Sequence, residues 1–113
     1  MALPKLKKDA PPEEVAVLHE QAKRASELMK ALSHETRLMI LCLLNEQEMS
    51  VTEIEQIVGV PQATVSQQLA RLRLERFVAT RREGRMIYYR IADSEVAAVV
   101  ESLYDVFCRP VRE

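Results

Sequence analysis

The sequence has few of the features that mark several common classes of protein. Its 113 residues contain only two cysteines, Cys42 and Cys108, which lie 66 positions apart and form no CxxC pair or Cys/His cluster, so a zinc finger is excluded. The longest wholly apolar run, Leu38 to Leu44, is too short to cross a bilayer, and no apolar leader segment precedes it. We therefore expect a cytoplasmic protein without a membrane partner, in which both thiols are normally reduced.

Residues suited to catalysis or metal binding are also scarce. The sequence shows no Gly-rich phosphate loop, no paired-carboxylate cleft and no plausible oxyanion hole, which argues against an enzyme even with a cysteine as nucleophile. His19 and His34 are the only histidines, and the last predicted helix offers carboxylates at Asp93, Glu101 and Asp105 but no histidine. A zinc-type site needs three or four converging ligands, so we expect no metal ion and no cofactor.

Charge is unevenly distributed along the chain, although the net charge is only −1 and the pI about 6.2. Residues 61–91 hold seven arginines, no lysine and two glutamates, a local balance of +5 that leaves −6 for the rest of the chain. Such polarity is typical of a protein that binds DNA with one face, and the guanidinium fork suits phosphates and guanine edges. The seven are Arg71, Arg73, Arg76, Arg81, Arg82, Arg85 and Arg90.

The first half of the chain has helical periodicity. Residues 1–12, which contain several lysines and prolines, are predicted to be a flexible arm, and residues 13–113 a single folded domain. Ser33 is predicted to cap a second helix that runs to about Leu44, with Asn45 as its left-handed end. The apolar stripe of the first helix consists of Val15, Leu18, Ala22, Ala25, Met29 and Leu32.

Two short helices joined by a glycine-containing turn follow. Ser50 and Glu53 form a capping box that opens a third helix, which runs to Val58 and is ended by Gly59. Pro61 begins a fourth helix, where its missing N–H would have no partner in any case. The inward side chains of this fourth helix are predicted to be Ala63, Val65, Leu69 and Leu72.

The last third of the chain changes to strand-like periodicity. Residues 77–82 and 85–91 are rich in β-branched and aromatic side chains and predict a hairpin with Gly84 in its turn. Asp93 is expected to cap a last helix that Pro110 ends. Four helices, a hairpin and a fifth helix predict a mainly α fold with a β-hairpin wing, a winged helix-turn-helix. The predicted inner face of the last helix is Val96, Val99, Val100, Leu103 and Phe107.

Three stretches, residues 30–41, 65–72 and 82–91, resemble the ArsR/SmtB family of bacterial repressors, in the family's order and at similar spacing. The resemblance implies a homodimer formed by the first and last helices, which binds an inverted-repeat operator in double-stranded DNA and leaves it when an inducer acts. Many members have histidine at the position of Gln68, so the operator preference is expected to differ. By the same resemblance, the base-reading residues are Gln62, Thr64, Ser66, Gln67 and Gln68. The arginines expected to bind DNA, those of the hairpin mainly through phosphates, are Arg71, Arg81, Arg82 and Arg85.

The two cysteines leave alternatives open. From chemistry alone, Cys42 is a small core side chain in an apolar helix and Cys108 an incidental residue near a helix end. The chain also resembles the dithiol branch of the family, which implies a thiol switch: a persulfide or an oxidant joins Cys42 to Cys108 through a disulfide or polysulfide bridge and releases the DNA. The alternatives are a repressor with inert cysteines that responds to another inducer, such as a metal ion, and an interaction module without DNA.

Overall fold

A computed structural model of the protein describes residues 6–112. The chain divides into two units, one up to Ala31 and one from Leu32 onwards. Of the predicted flexible arm, residues 1–5 lie outside the described residues, and residues 6–11 precede the first helix.

The first helix, α1, spans Pro12–Leu32 and begins one residue before its predicted start. Proline is well suited to a first helical position because it has no backbone N–H and a helix needs none at that position. Part of the predicted apolar stripe is solvent-exposed in the single chain, with Val15, Leu18 and Met29 between 37% and 66% exposed. These side chains give the helix an exposed apolar face.

Helix α2 spans Glu35–Glu46, and its N-cap differs from the prediction. The cap is His34 rather than Ser33, because the Nδ1 atom of His34 accepts the N–H of Arg37 at 3.4 Å and the backbone of His34 is extended. An imidazole nitrogen thus takes the place of the hydroxyl oxygen that more often caps a helix.

The end of α2 also differs from the prediction. Asn45 is not a left-handed end, because it lies inside the helix, which closes at Gln47 with extended backbone. The chain then enters a two-residue strand, β1, Met49–Ser50. Because the strand requires extended backbone immediately after the helix, the chain has no need for a left-handed residue at this point.

The helix-turn-helix follows the prediction except at Pro61, whose extended ψ of 148° makes it the N-cap of the fourth helix and not its first helical residue. In α3, Val51–Val58, the N–H of Glu53 donates to Oγ of Ser50 at 3.2 Å, and the N–H of Ser50 donates to the Glu53 carboxylate at 2.9 Å. Both halves of the capping box are therefore present. Gly59 ends α3 with a φ of 77°, a left-handed conformation that glycine adopts without strain, and α4, Gln62–Leu74, comes next.

The hairpin consists of β2, Val78–Glu83, and β3, Met86–Ile91, joined through Gly84 with a φ of 62°. This confirms the predicted wing. The strands form an antiparallel sheet in the order β1-β3-β2, in which Met49 pairs with Tyr89. Sequence patterning did not predict β1, because two residues are too few to show alternation.

Helix α5, Ser94–Leu103, starts at Asp93 as predicted, with the carboxylate accepting two backbone N–H groups. Pro110 does not end this helix, contrary to the prediction. The chain widens into a π-helical turn, Tyr104–Cys108, and continues as α6, Arg109–Arg112. A proline has no N–H to donate and its ring crowds the carbonyl four residues earlier, so a wider turn ahead of Pro110 accommodates it.

The π-helical turn changes which side of the helix faces the core. Val96 and Val100 are fully buried, but Phe107, predicted on the same face, is 69% exposed. Phe107 lies inside the π-helical turn, where each residue advances by a smaller angle than in an α-helix, so its side chain falls outside the stripe of Val96 and Val100. Val106 and Val111 are likewise exposed.

The core of the second unit is built around α2, which packs against α3, α4, α5 and β3. Ala63 was predicted to face inward but is exposed, because the buried row of α4 follows the spacing of its larger aliphatic side chains. The most deeply buried aliphatic residues are Ile40, Leu41, Ile54, Val65, Leu69, Leu72, Val96 and Val100.

Candidate nucleic-acid interface and thiol pair

The outward face of α4 carries most of the predicted base-reading side chains. This helix starts after Pro61, its N-cap, and buries Val65, Leu69 and Leu72 on the opposite side. Thr64 is partly buried near its start. The exposed polar side chains on this face are Gln62, Ser66, Gln67 and Arg71.

Gln68 occupies a different position from its neighbour Gln67. It is partly buried, and its Oε1 accepts a hydrogen bond from Nη1 of Arg37 at 3.4 Å. Arg37 belongs to α2 and is only 7% exposed. A guanidinium has donors only, so the amide oxygen of Gln68 must face it. This contact turns Gln68 towards α2 and makes it a link between the two helices.

Two wing arginines are exposed near the hairpin turn. Arg82 donates from Nε to the carbonyl oxygen of Gly84 at 3.1 Å, within its own turn, and Arg85 is exposed in the turn itself. On α4, Arg71 lies 3.8 Å from the carboxylate of Glu75, a long and exposed ion pair of little energetic consequence. These cationic groups can approach a phosphate without breaking a buried interaction.

Arg81, the other wing arginine predicted to bind phosphate, is held by the protein itself. Its Nε donates to Glu48 at 2.7 Å, its Nη1 donates to Glu83 at 2.9 Å, and its guanidinium lies 4.8 Å from the ring centroid of Tyr88. The hydrogen bonds to Glu48 and Glu83 raise the pKa of Arg81 above its ordinary value. Glu48 was not singled out from the sequence, because 33 residues separate it from Arg81 and no local pattern joins them.

The two cysteines differ in exposure and affect each other electrostatically. Cys42 is partly buried on α2, Cys108 is exposed at the end of the π-helical turn, and neither is in a disulfide. Burial raises the pKa of the Cys42 thiol, and charge on Cys108 raises it further. The thiols therefore share one electrostatic neighbourhood, while α2 and α5 pack together.

Clusters of metal ligands and membrane-spanning helices are both absent from the part of the chain that the structure describes. Residues 6–112 contain no group of three or more His, Cys, Asp or Glu side chains able to hold a metal ion. In the same stretch, no helix combines the length and apolarity needed to cross a membrane.

A helix-turn-helix with polar side chains on its second helix, followed by an arginine-bearing hairpin, defines a winged helix-turn-helix DNA-binding regulator. Residues 34–80 match the description "bacterial regulatory protein, arsR family". The chain is 44% identical over 91 residues to the biofilm growth-associated repressor of Xylella fastidiosa, covering 80% of each protein. The protein belongs to the arsR family of bacterial regulatory proteins, which confirms the resemblance seen in its motifs.

Solved structures agree with this assignment. The crystal structure of the transcriptional repressor BigR from Xylella fastidiosa is similar with a TM-score of 0.77 and 43% identity, over 82% of this chain and 92% of that one. Reduced HlyU from Vibrio cholerae is similar with a TM-score of 0.77 and 36% identity, over 81% of this chain and 97% of that one. The expected winged helix-turn-helix is confirmed, and the named relatives are transcriptional regulators rather than enzymes.

Proposed function

We propose that this protein is a transcriptional repressor that binds a two-fold symmetric operator. The observation that carries the proposal is the exposed row of amide and hydroxyl side chains on α4, beside Arg82 and Arg85 of the wing. In this fold the second helix of the motif enters the major groove, where amides read base edges while arginines bind phosphates. The similarity to a biofilm growth-associated repressor supports repression as the direction of control.

The proposal includes a homodimer through the first and last helices. Exposed apolar side chains on α1 and on the tail beyond α5 support it, notably Leu18, Met29, Phe107 and Val111. Large apolar side chains exposed along a helix are typical of an interface with another chain. A dimer also presents two reading helices, which a two-fold symmetric operator requires.

Salt titration of duplex binding tests this function. The logarithm of affinity should fall steeply with the logarithm of salt concentration, by about 0.9 for each phosphate neutralised. Gln67→Ala should lose about 1–3 kcal/mol of discrimination between operator and altered sequence, whereas Arg85→Ala should weaken all duplexes about equally. A flat salt dependence, or a monomer without DNA affinity at micromolar concentration, would contradict the proposal.

For the inducer, we propose a persulfide or oxidant that joins Cys42 to Cys108 within one protomer. The support is that charge on one thiol raises the pKa of the other, that Cys108 is exposed to reagents, and that Cys42 lies on the central helix. A bridge would link α2 covalently to the residues beyond α5. It would thereby change the distance between the two α4 helices of the dimer. One of the similar solved structures is that of reduced HlyU from Vibrio cholerae, so the oxidation state was distinguished for that protein.

The chemistry of the bridge balances with a persulfide, RSSH, as the two-electron oxidant. The Cys108 thiolate attacks the outer sulfur and expels RS⁻, which leaves as the thiol. The Cys42 thiolate then attacks Sγ of Cys108 and expels hydrogen sulfide, leaving a disulfide. An organic tetrasulfide would instead leave its two inner sulfurs in the bridge and depart as two thiols.

Cysteine variants test the switch. Cys108→Ser should give a folded protein that binds DNA but no longer leaves it on persulfide or disulfide treatment, and intact mass should show no internal bridge. Cys42→Ser should behave alike, with some loss of stability because it places a hydroxyl at a partly buried site. Release of Cys108→Ser at wild-type reagent concentration would favour the alternative, inert cysteines and a different inducer.

A further inference from the structure

The side chain of Arg81 spans the three-stranded sheet. Arg81 on β2 pairs with Tyr88 on β3, and Tyr88 pairs with Ser50 on β1, so these residues form one row across the strands. Glu48, two residues before Ser50, lies beside the far edge strand. The guanidinium therefore crosses over the ring of Tyr88 to reach a carboxylate at the opposite edge of the sheet.

The far end of this contact adjoins the helix-turn-helix. Ser50 is both the last residue of β1 and the N-cap of α3, the first helix of the motif. The ion pair between Arg81 and Glu48 thus connects the outer strand of the wing to the segment that starts the motif. At the other end of the guanidinium, the pair with Glu83 on β2 fixes its orientation.

Carboxylates of the protein itself also neutralise the charge of Arg81. Its guanidinium faces two carboxylates within 3 Å, at 2.7 Å and 2.9 Å, so a phosphate would have to displace or approach these anions. Neither Arg82, bonded to a carbonyl, nor Arg85, exposed in the turn, has such a partner among the ion pairs seen in residues 6–112.

We propose that Arg81 is a positioning residue, which fixes the wing against the helix-turn-helix so that Arg82 and Arg85 reach the phosphates, and that it does not itself bind DNA. This inference rests on the proposed DNA-binding function. The position of Arg81 in an arginine-rich hairpin predicts that it binds a phosphate, and the inference replaces that role with a structural one.

Replacing Glu48 distinguishes the two possible roles of Arg81, because the two roles predict opposite changes in DNA affinity. If Arg81 bound a phosphate, Glu48 would compete with the DNA, and Glu48→Gln would tighten binding. If Arg81 positions the wing, Glu48→Gln removes the anchor and weakens binding. Glu48 is far from any base-reading side chain in sequence and serves no other role in the proposed interface.

The experiment compares salt titrations of operator binding for the wild type, Glu48→Gln, Arg81→Gln and, as a matched control, Arg85→Gln. Glu48→Gln and Arg81→Gln should each weaken binding by about threefold to fivefold, the effect of losing an exposed ion pair, with the salt slope unchanged. Arg85→Gln should reduce the slope by about 0.9, the value for one lost phosphate contact. The double variant of Glu48 and Arg81 should be no weaker than either single variant.

Tighter binding by Glu48→Gln, or a slope for Arg81→Gln reduced as much as that of Arg85→Gln, would overturn the positioning role. Hydrogen exchange on the protein without DNA gives a second readout. Glu48→Gln and Arg81→Gln should speed exchange of the amides in β2 and β3, while Arg85→Gln should not. If no variant, nor the wild type, binds DNA, the proposed function fails, and the exchange rates alone decide whether Arg81 fixes the wing.

Discussion

Replacing Gln68 by alanine should destabilise the folded protein, whereas the same change at Gln67 should not. The Gln68 amide accepts a hydrogen bond from Arg37, a side chain only 7% exposed, at 3.4 Å. A net contribution of about 1.5–3 kcal/mol is usual for a hydrogen bond to a charged group, and the length of this one places it below that range, at about 1 kcal/mol. Gln67 faces solvent, where substitutions usually change stability by less than about 0.5 kcal/mol.

The assay is urea unfolding at a fixed, high protein concentration, followed by circular dichroism. Gln68→Ala should lower the free energy of unfolding by about 1 kcal/mol, with a fall in melting temperature of about 4 °C. Gln68→Glu retains an oxygen acceptor opposite Arg37 and should keep most of the stability. DNA binding should show the reverse order, with Gln67→Ala losing more base discrimination than Gln68→Ala.

Equal stability of the two alanine variants would refute this reasoning. It would mean that the contact between Arg37 and Gln68 contributes nothing net to folding, and that Gln68 remains available to bases. Equal loss from Gln68→Ala and Gln68→Glu would instead show that packing of the side chain, not its acceptor oxygen, supports α4.

Other consequences follow from local geometry. Ser50→Ala should cost about 1 kcal/mol of stability, measured by urea unfolding, because Glu53 loses its capping acceptor; an unchanged midpoint would count against the cap. Because the pKa of Cys42 is raised, its alkylation should keep accelerating at pH values where an ordinary thiol has reached its plateau, and stability should decline as pH rises through that higher pKa, a dependence absent from Cys42→Ala. Stoichiometric zinc, cadmium or nickel should not release the DNA, as checked by fluorescence anisotropy; a several-fold loss of affinity at that ratio would argue for a metal inducer.

Sequence reasoning succeeded where one short segment determines the outcome. The capping box at Ser50, the left-handed Gly59 and the cap at Asp93 each depend on atoms within a few residues, so their patterns predicted the structure directly. The family motifs then located the reading helix and the wing. The same logic failed at Ser33, because the adjacent His34 can also accept a backbone N–H and is the actual cap. It failed at Asn45 because the helix continues to Glu46 and the chain then becomes extended at Gln47.

Interactions between distant segments escaped prediction for a different reason. Glu48 reaches Arg81 across 33 positions, and Arg37 reaches Gln68 across 31. Neither pair has a periodic signature, since such contacts arise only after the helices and strands have packed. Both contacts involve residues of the candidate interface, so a list of candidate DNA-binding side chains taken from motifs includes some that are hydrogen-bonded to distant parts of the chain.

The π-helical turn at Tyr104–Cys108 makes the direction of the second thiol depend on how this part of the helix is wound. A π-helical turn closes with one residue more than an α-helical turn, so losing one of its residues would leave an ordinary α-helix with the following side chains in nearly the same direction. Rewinding the turn into an α-helix without such a loss would instead rotate Cys108 by roughly the angle of one residue, about 100°. In evolutionary terms, a codon can be lost between Tyr104 and Cys108 without turning the thiol away, and a gap in an alignment at this turn does not by itself separate the two cysteines.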